Sequence, residues 1–328
     1  MTSSFRTLTL SLDTLNNLDQ LGYNEMTPIQ AASLPLALAG QDAIAQASTG
    51  SGKTAAFGLP LVEKLTANFH AVQALVLCPT RELADQVTTE IRRLARATAN
   101  IKVVTLCGGV ALRGQEQSLQ HGAHVVVGTP GRILDHLTRG NLRLDSVKTL
   151  VLDEADRMLD MGFFDDMKQL IQQCPPKRQT LLFSATYPEG IAKLSAQFMR
   201  DPQTVKVQTV HAADKIKQLF YEVREDERLH AVSLLLNHFR PESTLAFCNT
   251  KQQCRELLAV LQAQGFDALA LYGELEQRER DQVLVQFANR SCSVLVATDV
   301  ASRGLDISQL NAVINVEVTP DAEIHIHR

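Results

Sequence analysis

Short apolar runs recur along the chain at 42–47, 74–78, 103–107, 124–128, 149–152 and 180–183. Each is nearly continuous rather than alternating, as expected of a strand covered on both faces. Segments with helical spacing lie between them, among them Arg81 to Ala97 and Met167 to Cys174. That alternation predicts a parallel sheet with helices on both faces. A second series follows at 244–248, 268–272, 293–297 and 312–318, with helices expected over Lys251 to Gln264 and Gln277 to Ala288. The break falls near 201–214, which holds Pro202 and polar residues and has no helical period. The pattern predicts two tandem α/β domains built on one plan, residues 1–208 and 209–328.

Polar motifs sit where these strands end, at 47–54, 79–82, 108–109, 129–132, 153–156, 184–186, 249–250, 273 and 298–299. In open α/β sheets ligands bind at the carboxyl ends of the strands. A whole series of such ends predicts a working edge on each domain, the two edges facing a shared cleft.

Composition narrows the partners. The chain has 328 residues and is 45% hydrophobic, enough for two buried cores. No apolar run approaches the length of a membrane span, and the start lacks a signal-peptide core, so a cytoplasmic protein with no membrane partner is expected. The six cysteines show no C-x-x-C spacing, and Cys78, Cys107 and Cys248 read as small hydrophobes at strand ends. Lys+Arg against Asp+Glu is 20 against 19 over residues 1–208 and 12 against 17 over 209–328. There is thus no polycationic face, and any grip on nucleic acid must come from local geometry. With no Trp and four Tyr, base-stacking platforms are scarce.

The strand end at 47–54 reads Ala47-Ser48-Thr49-Gly50-Ser51-Gly52-Lys53-Thr54. Strand, glycine-rich turn and helix together aim backbone N–H groups at a phosphate. Lys53 can reach terminal phosphates, and Thr54 can offer its hydroxyl to Mg²⁺. Ala47 stands where such loops usually begin with Gly, a small loss of backbone freedom. Later come Asp153-Glu154-Ala155-Asp156, an acidic group placed to hold a metal ion and a water. The two sites together predict binding of a nucleoside triphosphate and its hydrolysis.

The remaining motifs follow in order: Phe5, Tyr23, Thr27-Pro28-Ile29-Gln30, Pro79-Thr80-Arg81-Glu82-Leu83, Gly108-Gly109, Thr129-Pro130-Gly131-Arg132 and Ser184-Ala185-Thr186. The second half adds Gln252 to Arg255, Ala297-Thr298-Asp299 and Arg303-Gly304-Leu305-Asp306. This ordered set closely resembles the DEAD-box family of ATP-dependent RNA helicases over essentially the whole chain. The stretches Leu77 to Val87 and Leu275 to Arg278 resemble a bacterial branch that acts on 23S ribosomal RNA and carries an extra C-terminal RNA-binding domain. The resemblance implies two RecA-like P-loop domains, ATP and Mg²⁺ as cofactors, RNA as partner, and a monomer with a role in large-subunit assembly.

It also implies site residues. For ATP these are Phe5, Tyr23, Thr27, Gln30, Ser48, Thr49, Gly50, Ser51, Gly52, Lys53 and Thr54, with Gly304 and Asp306 from the second domain. Gln30 would pair with the adenine edge while Tyr23 or Phe5 covers the base. Thr54 and Asp153 would serve the metal. Lys53, Asp153, Glu154, Ser184 and Thr186 would serve catalysis, with Glu154 on the attacking water. Asp156 would tie the site to Ser184 or Thr186. Contacts to the RNA backbone would come from Pro79, Thr80, Arg81, Glu82, Gly109, Thr129, Gly131 and Arg132, then from Asn249, Thr250, Gly273 and Thr298.

Two places depart from the family pattern. The familiar His-Gly-Asp is Tyr272-Gly273-Glu274. The last core motif, His-Arg-Ile-Gly-Arg-Thr-x-Arg, is represented only by His325-Ile326-His327-Arg328. Arginine fingers later in that motif neutralise charge in the transition state. The leading expectation is RNA-stimulated ATP hydrolysis coupled to local RNA duplex unwinding; the alternative is that the 328-residue chain binds ATP–Mg²⁺ and RNA with little turnover, its second domain being incomplete and the less stable. A DNA translocase on the same plan is the remaining alternative.

Overall fold

In the computed structural model, residues 4–48, 50–207, 217–299 and 310–319 are described. The chain divides into two compact units, Met1–Val210 and His211–Arg328.

The first unit holds β1 (Ala43–Gln46), β2 (Ala74–Leu77), β3 (Val103–Leu106), β4 (Val125–Gly128), β5 (Thr149–Leu152), β6 (Gln179–Ser184) and β7 (Gln203–Lys206). They form one sheet in the order β3-β4-β2-β5-β6-β1-β7. Every pairing is parallel. The apolar runs become buried strands because helices cover both faces. Successive side chains in β2 point to opposite sides. Val76 joins a cluster with Phe57, Ile91, Leu94 and Phe183, while Leu75 and Leu77 join one with Ile133, Met167 and Leu170. The helix Arg81–Leu94 shows how the sequence builds one such cover. Thr80 caps it by accepting from the Leu83 N–H at 3.3 Å. Leu83, Ala84, Val87, Ile91 and Leu94 then fall on its buried stripe. Full burial of a side chain such as Ile91 stabilises by roughly 1.5–3 kcal/mol.

β7 corrects the expected linker. Gln203–Lys206 lies within the segment taken as a break, yet it pairs along β1 as an edge strand. Gln203, Thr204 and Lys206 are exposed, so the strand has no apolar signature. Backbone pairing recruits it, with Val205 packing against the core.

The second unit holds β8 (Thr244–Cys248), β9 (Ala268–Leu271), β10 (Val294–Thr298) and β11 (Ala312–Asn315) in the order β11-β8-β10-β9, again parallel. The helices Lys251–Ala263 and Gln277–Ala288 lie where their spacing placed them. β11 stops three residues short of the expected 312–318, and Val313 in it remains 44% exposed, as an edge strand allows. Among the described residues no helix is long and apolar enough to cross a membrane.

One close approach sets the spacing of β3 and β4. A Cβ added at Gly128 would lie 2.0 Å from the Leu106 carbonyl oxygen, a backbone atom that cannot swing away. Gly128→Ala should therefore lower the stability of the first unit by about 1–3 kcal/mol or more, the cost of overpacking. Chemical denaturation followed by circular dichroism measures it, and a midpoint equal to the parent's would refute the tight contact.

Candidate active site and nucleic-acid interface

The phosphate loop leaves β1 and ends in the helix Lys53–Glu63. Gly52 sits at the helix N-cap in the left-handed region, φ 91°. A Cβ there would lie 2.6 Å from Gln30 Nε2, so both backbone and space require glycine. No side chain caps this helix through Gly52. Its first N–H groups are thus the unsatisfied donors that every helix start presents. Ser51 closes the loop by donating to the Ser48 carbonyl at 2.7 Å. Lys53 is buried, and its ammonium donates to the Ala47 carbonyl at 3.2 Å. Thr54 is partly exposed on the first turn. Thr49 lies outside the described residues.

Gln30, expected at the base, is linked to the phosphate loop. Thr27 and Gln30 form a capping box: Gln30 Oε1 accepts from the Thr27 N–H at 2.9 Å, and the Thr27 hydroxyl faces the Gln30 N–H at 3.5 Å. Gln30 Nε2 donates to the Gly52 carbonyl at 3.0 Å. The amide therefore braces the phosphate loop. Phe5 is only 3% exposed and meets Tyr23 edge-on at 6.0 Å between ring centroids. The Tyr23 hydroxyl is bonded to Glu90, and burial with that bond pushes its phenol upward. Phe5 belongs to the core and Tyr23 packs against it while staying partly exposed.

The acidic group sits at the end of β5. Asp153 is buried, and burial pushes its carboxyl up to about 7; Lys53 opposes the rise while Glu154 and Asp156 add to it. Glu154 takes a left-handed backbone, φ 50°. Its carboxylate is in a buried ion pair with Arg157, Nη1 to Oε2 2.9 Å. Asp156 gathers three donors on Oδ2, the Ala185 N–H at 3.0 Å, the Thr186 N–H at 2.8 Å and the Thr186 hydroxyl at 3.0 Å. Ser184 accepts from the Asp156 N–H at 3.3 Å. Ser184 and Thr186 therefore hold the acidic turn, joining β5 to its neighbour β6. No regularity in spacing pointed to Arg157; only its burial beside Glu154 singles it out.

The strand ends assigned to RNA are also neighbours. Pro79 to Glu82 follow β2, Gly109 follows β3, and Thr129, Gly131 and Arg132 follow β4. Pro79 is buried; Thr80, Arg81 and Glu82 are partly exposed; Gly109 and Gly131 are exposed. Thr129 is the N-cap of the helix Pro130–Thr138 and makes no side-chain cap bond. In the second unit Asn249 follows β8 and donates to Glu317 at 3.1 Å, while Thr250 caps the next helix. Gly273 has open space where a Cβ would stand. Thr298 ends β10. Gly304 and Asp306 lie outside the described residues, as does His325 to Arg328.

Residues 27–194 match the DEAD/DEAH box helicase model and residues 226–328 match the helicase conserved C-terminal domain model. The chain is 54% identical over 314 residues to an Escherichia coli protein described as ATP-dependent RNA helicase DbpA, covering 96% of this chain and 69% of that one. It is 44% identical to a Geobacillus kaustophilus DEAD-box ATP-dependent RNA helicase, CshA, covering 99% of this chain and 70% of the relative. The chain belongs to the DEAD-box family of ATP-dependent RNA helicases. DbpA is the type it resembles within that family. A solved structure of Saccharomyces cerevisiae Dbp5 bound to RNA and ADP BeF3 superposes with a TM-score of 0.89 at 30% identity, covering 99% of this chain and 85% of that one.

In this DEAD-box chain the Tyr272 and Glu274 departures are used internally. Arg255 lies over the Tyr272 ring at 5.1 Å, and Glu274 is paired with Lys251 and, at 3.4 Å, with Arg255. The pairs hold the turn after β9 against the helix Lys251–Ala263.

Asp156 is the most heavily bonded carboxylate of the DEAD-box turn. Asp156→Ala should cost about 2 kcal/mol or more, since bonds to a charged acceptor are each worth roughly 1.5–3 kcal/mol. Thermal unfolding of the variant tests this; an unchanged transition would show that the turn stands without it.

Proposed function

We propose that the chain is an RNA-stimulated ATPase that uses ATP to separate short RNA duplexes locally, with Lys53, Thr54, Asp153 and Glu154 on the nucleotide and the ends of β2, β3 and β4 on the RNA backbone. One observation carries the reading. Strand order groups the nucleotide ends of β1, β5 and β6 together and the RNA ends of β3, β4 and β2 together, with β2 beside β5, all on one edge of one sheet.

Lys53 would leave the Ala47 carbonyl for the terminal phosphates, and the open helix N-terminus would hold the others through backbone N–H groups. The donor set fits a divalent cation. A hydroxyl on Thr54 and a buried Asp153 carboxyl are hard oxygen ligands, and the raised Asp153 is a group that a nearby cation would return to its ionised form. Bound there, Mg²⁺ supplies charge neutralisation at the phosphates. Glu154 accepts the proton of the attacking water. Asp156 keeps β5 and β6 in register beneath these groups. Gly109, Thr129 and Gly131 offer backbone and hydroxyl donors to phosphates, which position a strand without reading its bases. Resemblance to the DbpA type supports a cytoplasmic monomer acting in large-subunit ribosome assembly.

Turnover is measured on the chain as it stands and with the family's last core motif completed after Arg328. Lys53→Ala should abolish hydrolysis with the fold intact by circular dichroism. Glu154→Gln should keep ATP affinity while hydrolysis falls about 10²-fold or more. Lost ATP affinity in Glu154→Gln would make that residue structural.

Binding of scrambled single-stranded RNA and of the matching DNA forms the second test. Affinity should be indifferent to sequence and higher for RNA, through the 2′-hydroxyl. Equal affinity for DNA would favour a translocase, and RNA binding without turnover in either form would favour a binding module.

A further inference from the structure

Two exposed loops that this reading sends to RNA are joined by a buried relay that no motif contains. Cys107 ends the run of β3 just before Gly108 and Gly109, and its carbonyl accepts from Gln115 Nε2 at 2.8 Å. Gln115 lies on the helix Leu112–Gln120 and is 6% exposed. Its Oε1 meets His136 Nε2 at 3.0 Å. His136 lies on the helix Pro130–Thr138, whose first turn contains Gly131 and Arg132, and it is 0% exposed.

The chemistry of this chain of bonds has one solution. A carbonyl can only accept, so the Gln115 amide nitrogen must face Cys107 and its oxygen must face His136. That oxygen can only accept, so His136 carries its proton on Nε2. Nδ1 is then a lone pair, and it is buried with no partner. Burial, with Arg132 nearby, lowers the His136 pKa, which keeps the ring neutral and the relay in this single polarity. On the outer side Arg132 Nη1 donates to the Val110 carbonyl at 3.0 Å. The Gly108–Val110 loop is therefore tied to the Pro130–Thr138 helix from beneath and from outside.

We propose that His136 and Gln115 are positioning residues for RNA, holding the Gly109 loop and the Thr129–Gly131 helix start as one rigid phosphate-binding unit. Backbone donors cannot adjust by rotamer, so their spacing must match successive phosphates before binding. A buried polar relay with fixed polarity supplies that spacing. The orphaned Nδ1 is the unfavourable side of the arrangement, and an apolar side chain at 136 would avoid it at the loss of the donor.

The proposal rests on the RNA reading above, and its test separates the two. Affinity for a fluorescent single-stranded oligouridylate is measured with ATP–Mg²⁺ present, beside ATP affinity and thermal unfolding. His136→Leu and Gln115→Met should each weaken RNA binding about tenfold, the equivalent of one lost buried hydrogen bond, with ATP affinity unchanged. The double variant should be no weaker than either single one, because both break the same relay. His136→Gln, which keeps a donor at the right reach, should recover most of the affinity. If His136→Leu does not fold, Gln115→Met, which nearly conserves shape, carries the test with His136→Gln. Unchanged RNA affinity in Gln115→Met, or parallel loss of RNA and ATP affinity in all variants including His136→Gln, overturns the proposal. Gly131→Asp is the control for the reading beneath it. If a carboxylate there leaves RNA affinity unchanged, the RNA assignment of this edge fails; if it weakens binding while the relay variants do not, only the relay fails.

Discussion

Parallel pairing is the constraint on which the first unit depends. Because each strand of the sheet runs the same way, every carboxyl end emerges on one edge. Parallel strands require crossover helices, and those helices begin at the same edge. Helix starts with unsatisfied N–H groups are thereby concentrated where the polar motifs lie. The phosphate loop before Lys53 and the Thr129 turn are two instances of one arrangement. Strand order then places the ends of β1, β5 and β6 on one side and those of β2, β4 and β3 on the other.

Charge buried at this edge is compensated residue by residue. Asp156 is met by three donors, and Glu154 by the Arg157 guanidinium at 2.9 Å. A buried ion pair of this kind contributes little net stability, because desolvation offsets its attraction. Its effect is to hold the Glu154 side chain in place. Asp153 lacks comparable compensation from the protein, and burial drives it upward. It accepts from the Glu154 N–H at 3.1 Å, and Lys53 opposes the rise. Gln30 links the two halves of the nucleotide edge by the same economy of donors: one amide satisfies the Thr27 N–H and the Gly52 carbonyl.

The second unit shows that a motif can change its letters and keep its scaffold. Tyr272 and Glu274 replace the familiar residues, and each finds a partner on the helix Lys251–Ala263. Nearby Glu317 accepts from Asn249, Gln253 and Arg228, drawing the ends of β8 and β11 together. Those hydrogen bonds, with Gln253 first among them, hold its carboxyl below the usual range.

Much of this was legible in the chain alone. Continuous apolar runs announced the strands, because a strand covered on both faces has no polar side to show. Gly52, Lys53 and the Asp153–Asp156 group marked a candidate phosphate site, because that chemistry needs those residue types in sequence order. Other features left no local trace. β7 is mostly polar and is recruited by pairing along β1, with Val205 alone of its side chains packed against the core. Phe5 is buried in the core and meets the partly buried Tyr23 edge-on. Gln30 turned inward to brace a loop 22 residues away. Arg157, Gln115 and His136 carry no signature, since each matters through a partner brought near by packing. Residue type and local order determined which chemistry this chain can hold. Only the tertiary structure decided which side chains orient it, because hydrogen bonds between distant segments depend on where helices settle on the sheet, and one-dimensional spacing does not record that.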